Sequence, residues 1–178
     1  MSIVTNEAAT MTAGALQTLM ENYGDDVWNY AYYLARSRSA ADDIAQETFI
    51  RAYKYMNTFR GEAGVRTWLL QITRNRWLSY RSSSFIRRVT LQESAGRKLF
   101  SPSAEEVYMQ QSLSSEVWKI VLQLPRKHRE VLMLYAHYGL SMEELAGLLD
   151  ISLPAAKSRL HRARQKAKEG WEKELGKS

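Results

Sequence analysis

The chain has 178 residues, a formal net charge of +6 and no cysteine. Without thiols it can hold no disulfide framework, no cysteine-ligated zinc and no thiolate nucleophile. No stretch reaches the roughly 18 apolar residues of a membrane span, and no basic-then-apolar signal pattern opens the chain, so the cytoplasm is the expected compartment. Charge is unevenly distributed. Residues 1–60 carry 5 basic and 7 acidic side chains, residues 61–101 carry 8 and 2, residues 102–156 carry 4 and 7, and residues 157–178 carry 8 and 3. Two separate basic blocks fit two places that meet phosphate; two solvated helix faces would give the same counts.

Ala, Leu, Glu, Gln, Arg, Lys and Met dominate the sequence and period-two alternation is scarce, which predicts an all-α fold. The three prolines, Pro102, Pro125 and Pro154, each precede or open a helical pattern, where a missing N–H costs nothing. Residues 82–104 open with Ser82-Ser83-Ser84, include Gly96 and show no sustained helical period, so they read as a flexible linker. The expected organisation is an N-terminal tail over 1–15, a small helical domain over 16–81, the linker over 82–104, and a second helical domain over 105–178.

In chain order, the first strong signal is a helix over 40–59. Ala45, Phe49, Ala52 and Met56 share its buried face. Asp43, Glu47, Ile50, Arg51 and Lys54 lie opposite. That mixture fits either a protein contact or a solvated face with one stray isoleucine. A glycine-containing loop, Arg60 to Val65, leads to a second helix over 66–81. Its buried stripe is Val65, Trp68, Leu69 and Ile72. Leu70, Arg74, Trp77 and Arg81 fall on the far side. Cations interleaved with an indole suit single-stranded nucleic acid, while Trp77 packed on a neighbouring helix with solvated arginines is the other reading.

In the second domain Ser103 and Glu106 have capping-box spacing, and a helix is expected to follow to about Leu124. Another follows Pro125 and stops at Gly139. Ser141-Met142-Glu143-Glu144 is a second capping box, opening a short helix with Leu145, Leu148 and Leu149. Asp150 to Leu153 form a tight turn, and Pro154 starts a helix reaching about Trp171. Short helix, short turn and longer basic helix make a helix-turn-helix layout. Ala156, Leu160, Ala163, Ala167 and Trp171 form the apolar stripe of the last helix. Ser158, His161, Arg162 and Gln165 point away from it, flanked by Lys157, Arg159, Arg164 and Lys168. Arg reads guanine and Gln reads adenine in a major groove, while the flanking cations hold phosphates. An αα-hairpin with a solvated basic helix is the plainer alternative.

Three blocks in order then resemble the extracytoplasmic-function (ECF) sigma factors of bacterial RNA polymerase. Ala41-Asp42-Asp43-Ile44-Ala45-Gln46-Glu47-Thr48-Phe49-Ile50-Arg51-Ala52-Tyr53 is similar to that family's core-binding helix. Thr67-Trp68-Leu69-Leu70-Gln71-Ile72-Thr73-Arg74-Asn75 is similar to its promoter-melting helix. Leu124-Pro125, Arg129-Glu130-Val131-Leu132, Gly139-Leu140-Ser141 and Lys157 to Arg164 resemble its −35-reading domain. The resemblance implies that Asp43, Gln46, Glu47, Ile50 and Arg51 contact the β′ clamp helices of core RNA polymerase. It implies that Arg60, Arg66, Arg74, Asn75, Trp77 and Arg81 serve the −10 element and its melting, with a flipped base held by the loop and Asn75. Lys157, Ser158, Arg159, His161, Arg162 and Gln165 would meet the −35 element. It also implies an anti-sigma partner, often membrane-anchored in this family. Two departures stand out: Pro154-Ala155-Ala156 where the family often has Gly-Thr-Val, and a basic linker where family linkers are often acidic.

The competing class is a conventional helix-turn-helix regulator whose N-terminal domain dimerises or senses a ligand. Such a regulator has no need of the Asp43/Glu47/Ile50 and Arg74/Trp77/Arg81 faces. No catalytic residue, metal, cofactor or small-molecule substrate is expected. His128, His137 and His161 sit on different predicted elements without metal-ligand spacing, and no glycine-rich phosphate loop with lysine is present.

Overall fold

The computed structural model describes residues 4–56, 59, 61, 64–91 and 116–176. The chain divides into two compact units, 1–89 and 90–178. Every regular element among the described residues is helical.

The first unit holds α1 (Val4–Ala35), α2 (Arg38–Tyr55) and α3 (Val65–Leu91). Helix α1 begins within the stretch expected as a tail, since nothing from Val4 onward breaks a helix: there is no proline before residue 102. It stops where Arg36 takes a left-handed φ of 55°. Ser37 then caps α2, its hydroxyl accepting from the amide of Ala40 at 3.4 Å. Helix α2 buries Ala41, Ile44, Ala45, Thr48, Phe49 and Ala52, the three-and-four spacing of one helical face. That face joins Val27 of α1 and Leu69 of α3 in one cluster, bordered by Leu16, Leu19, Tyr23, Trp28, Val65, Trp68 and Ile72. Thr48 and Thr73 are fully buried, and each hydroxyl donates to the carbonyl one turn back, of Ile44 and Leu69, at 2.8 Å. Neither therefore leaves an unmet donor in the core.

Helix α3 differs from expectation in two ways. It continues past Arg81 to Leu91, so the first part of the expected linker is helical, with Ser82 and Ser83 on its exposed side. Its buried surface is also wider than one stripe, because Leu69, Leu70, Thr73 and Trp77 are all buried. The rest of the expected linker, Pro102, and the Ser103–Glu106 capping box lie outside the described residues.

The second unit holds α4 (Glu116–Gln123), α5 (Arg126–Leu132), α6 (Met142–Leu149) and α7 (Leu153–Leu175). Helix α5 runs on into a π-helical turn, Met133–His137, in which the amide of Tyr138 donates to the carbonyl of Met133 at 3.1 Å. A π turn accommodates an extra residue and re-aims the side chains beyond it. Met133, Leu134 and Tyr138 point into the core while Tyr135 and His137 stay outside. Gly139, at φ 67°, then ends the segment as expected. The core is completed by Ile120 and Val121 of α4, Val131 and Leu132 of α5, Leu145, Leu148 and Leu149 of α6, and Ala156, Leu160 and Ala163 of α7. Two buried charges are compensated. Arg129 donates to the carbonyl of Leu122 at 3.1 Å, tying α5 to the end of α4, and Glu130 pairs with Arg126 at 3.3 Å.

Candidate functional site

The helix-turn-helix is built by its caps. Ser141 accepts from the amide of Glu144 at 3.1 Å, and the Glu144 carboxylate accepts from the amide of Ser141 at 2.9 Å, the reciprocal pair expected from the sequence. Each such cap contributes about 1 kcal/mol. Asp150 ends α6 in the left-handed region at φ 54°, and the amide of Ile151 donates to the carbonyl of Ala146 at 3.1 Å. Ser152 caps α7, accepting from Ala155 at 3.3 Å, with Pro154 in the first turn.

Burial of Ala156, Leu160 and Ala163 fixes the rotation of α7 about its axis. The same rotation exposes Lys157, Ser158, His161, Arg162 and Gln165, with Arg159 half-buried beside them. The structure thus brings five of the six residues expected at the −35 element onto one exposed face and puts Arg159 at its half-buried edge. Ala167 and Trp171 belong less to the stripe: Ala167 is half-buried and Trp171 is 37% exposed. Arg164 stands over the ring of Tyr135, 5.0 Å from its centroid. The π turn, which the sequence did not announce, supplies that platform.

The positive field of α7 also reaches α5. His128 is half-exposed, but its Nδ1 is shielded from solvent without a hydrogen-bond partner. Burial first, then the charges of Lys166, Arg159 and Arg162, hold this imidazole below its ordinary value.

In the first unit, Asp43, Gln46, Glu47, Ile50 and Arg51 are all exposed on α2, the face expected from spacing. Ile50 is 59% exposed and Tyr53 44%, so the face carries apolar as well as charged groups. Asp42 beside it is not available in the same way, since it accepts from the Trp28 indole at 2.7 Å. Sequence reasoning missed Arg76. Its Nε lies 3.2 Å from Oε2 of Glu47, with the Arg76 side chain 15% exposed and that of Glu47 59%. Both residues line a cavity of about 330 Å³ between α2 and α3, with Asp43, Gln46, Ser79 and Tyr80 among its walls. The (i, i+4) spacing of Asp43 and Glu47 opposite a cation three residues short of Ser79 was visible in the sequence, but not the pairing of the two helices.

The expected Leu70/Arg74/Trp77/Arg81 face needs correction. Leu70 is fully buried and Trp77 is 4% exposed. The physical reason is that the buried side of α3 takes in Leu69, Leu70, Thr73 and Trp77 together, so both apolar members of the expected outer stripe go to the core. Arg81 stands 5.6 Å from the Trp77 centroid, on its outer side. Trp77 therefore supports a cation rather than presenting an open face for a base. Asn75 and Arg81 are exposed, and Arg74 is half-buried. Arg66 pairs with Asp26 of α1 at 2.8 Å. Arg60 lies outside the described residues. Among the described residues no cluster of His, Asp and Glu could hold a metal, and no helix is long and apolar enough to cross a membrane.

Two family models match the chain. Sigma-70 region 2 matches residues 19–84, and Sigma-70 region 4 matches residues 114–166. The first covers α2 and most of α1 and α3; the second covers the helix-turn-helix through Lys166. The sigma factor YlaC of Bacillus subtilis is 29% identical over 161 residues, covering 89% of this chain and 93% of that one. The ECF sigma-E factor of Salmonella typhimurium is 30% identical over 132 residues, covering 69% of each chain. The structure of CnrH in complex with the cytosolic domain of CnrY aligns with a TM-score of 0.61 and 25% identity, over 91% of this chain and 92% of that one. RpoE of Bartonella quintana, solved with the anti-sigma factor NepR, shares the fold at a TM-score of 0.65 and 22% identity, over 88% and 96%.

Two helical domains matched by regions 2 and 4 define a sigma-70-type promoter-specificity factor. Within that class the chain belongs to the ECF sigma factors, alternative sigma factors that direct RNA polymerase to promoters and initiate transcription there.

Proposed function

We propose that the two exposed faces divide the work of initiation. The outer side of α2, with Asp43, Gln46, Glu47, Ile50 and Arg51, docks on the β′ clamp helices of core polymerase. The outer half of α7, with Lys157, Ser158, Arg159, His161, Arg162 and Gln165, enters the −35 major groove. Asn75 and Arg81, with Arg74 on the same helix and Arg60 earlier in the sequence, serve the −10 element. Arg66 contributes there only if its pair with Asp26 opens, and Trp77 acts from the core as the seat of Arg81. A base captured outside the stack no longer re-pairs, which lowers the cost of strand separation. Each domain offers a small DNA surface, so selectivity arises when polymerase fixes the distance between them.

The single observation that carries this reading is the row of exposed polar side chains on α7, held in register by two capping serines and three buried apolar positions. The Sigma-70 region 4 match over residues 114–166 favours that reading over a merely solvated basic helix. The protein works in the cytoplasm with polymerase and performs no catalysis of its own. An anti-sigma protein is its regulatory partner; RpoE of Bartonella quintana was solved with the anti-sigma factor NepR, and CnrH with the cytosolic domain of CnrY. Transcription by core polymerase reconstituted with the chain, compared on promoters with intact and scrambled −35 elements, tests the assignment. Equal output from both would overturn it.

A further inference from the structure

We propose that Arg76 is a positioning residue for the α2 surface, holding the carboxylate of Glu47 in the conformation that core polymerase meets. This rests on the reading of α2 as the polymerase-docking face, and it adds a residue from a different helix to that face.

Four observations converge. The Arg76 side chain is only 15% exposed, whereas the Glu47 side chain is 59% exposed. A guanidinium shielded to that degree needs a counter-charge, or its desolvation goes uncompensated. Glu47 is the carboxylate that supplies it, with Oε2 at 3.2 Å from Nε. The contact is electrostatic rather than a formed hydrogen bond, since Nε is shielded and has no hydrogen-bond partner. Finally, Asp43 stands one turn before Glu47 on the wall of the same cavity.

Like charges at that spacing repel, and an unanchored glutamate samples many rotamers. Arg76 removes both problems. It offsets the second negative charge on the cavity wall and restrains one carboxylate oxygen of Glu47. Two acidic groups are thereby presented side by side on α2 without their mutual repulsion dispersing them. The interaction is indirect: Arg76 lies behind the surface, so its loss acts through Glu47.

The test is a double-mutant cycle read by competition of the full-length chain for core polymerase. Glu47→Gln and Arg76→Ala are each expected to weaken binding about three- to tenfold, and the double variant no more than the weaker single one. Arg76→Lys, which keeps the charge within reach, is expected to recover most of the affinity. A purely structural role would not give that rescue at unchanged thermal stability. Equal losses from Arg76→Ala in the native and Glu47→Gln backgrounds would overturn the inference. So would an Arg76→Ala chain that folds and binds core like the native one while Glu47→Gln is impaired. If Glu47→Gln itself leaves binding unchanged, the docking assignment of α2 falls, and Arg76 has nothing to position. Helical circular dichroism and the thermal midpoint of the first unit should stay native in Glu47→Gln and Arg76→Lys, which separates loss of docking from unfolding of the unit that carries both residues.

Discussion

Glycine-to-alanine changes at two positions of the second unit should have opposite signs. Helix α7 passes so close to α4 that a Cβ on Gly170 would lie 2.8 Å from Cγ2 of Ile120. A Cβ on Gly147, in α6, would meet nothing within 4 Å. Each substitution gains about 0.5–1 kcal/mol from reduced backbone entropy in the unfolded chain. At Gly147 nothing opposes that gain. At Gly170 the helices must part, or Ile120 must leave its rotamer, at about 1–3 kcal/mol. The two variants should therefore differ by about 1–3 kcal/mol, with Gly147→Ala more stable than the native chain and Gly170→Ala less stable. For a domain of this size each kcal/mol moves the midpoint by about 4–8 °C. Thermal and urea unfolding followed by far-ultraviolet circular dichroism reads both. Ile120→Leu removes the β-branch methyl that Gly170→Ala would strike, so in that background the second change should become neutral or stabilising. An equal rise in midpoint for Gly147→Ala and Gly170→Ala in the native background would refute the close approach.

Arg162→Ala should weaken −35-dependent transcription by about 1–3 kcal/mol in effective binding and relax preference at one position of the element, as measured on a panel of point-substituted promoters. Asn75→Ala should impair opening more than initial binding, so permanganate reactivity of the melted strand should fall while retention of the promoter complex changes little. His128 titrates below its ordinary value of 6.5 in the folded chain, so the unfolded chain takes up the proton first. Its contribution to stability is therefore complete above that pH, begins to fall at it, and is lost as pH drops through the lower value of the folded chain. Urea midpoints taken from about pH 7.5 down to about pH 5.5 should decline more in the native chain than in His128→Gln; parallel declines would exclude His128 as the cause.

Much of this was legible because helical spacing and cap chemistry act locally. The burial of Ala45, Phe49 and Ala52 left only one side of α2 for Asp43, Glu47 and Ile50, and the structure agrees. Ser141 with Glu144 announced the start of α6, and Gly139 the stop before it. What failed depended on neighbours in space. A stripe of Leu70, Arg74, Trp77 and Arg81 has the same period whether it faces solvent or a second packing partner. Only the tertiary arrangement sends Leu70 and Trp77 inward. The ion pair of Arg76 with Glu47 joins residues on different helices, and no local pattern encodes it. The π turn at Met133–His137 depends on where Tyr138 must point, which is a property of the core and not of the segment. The close passage at Gly170 was equally hidden, because a glycine within a helix reads only as a weak propensity.

The most direct measurement of the central claim is transcription by purified core polymerase with and without the chain, from a library of promoter fragments, with start sites mapped by sequencing. The account predicts new starts only when the chain is present, all preceded by a shared pair of elements at fixed spacing. Substitutions at Arg162 should relax preference at one position of the upstream member and leave the downstream member unchanged. Stable DNA binding by the chain without any association with core polymerase, and no new start sites, would contradict it and leave a conventional helix-turn-helix regulator in its place.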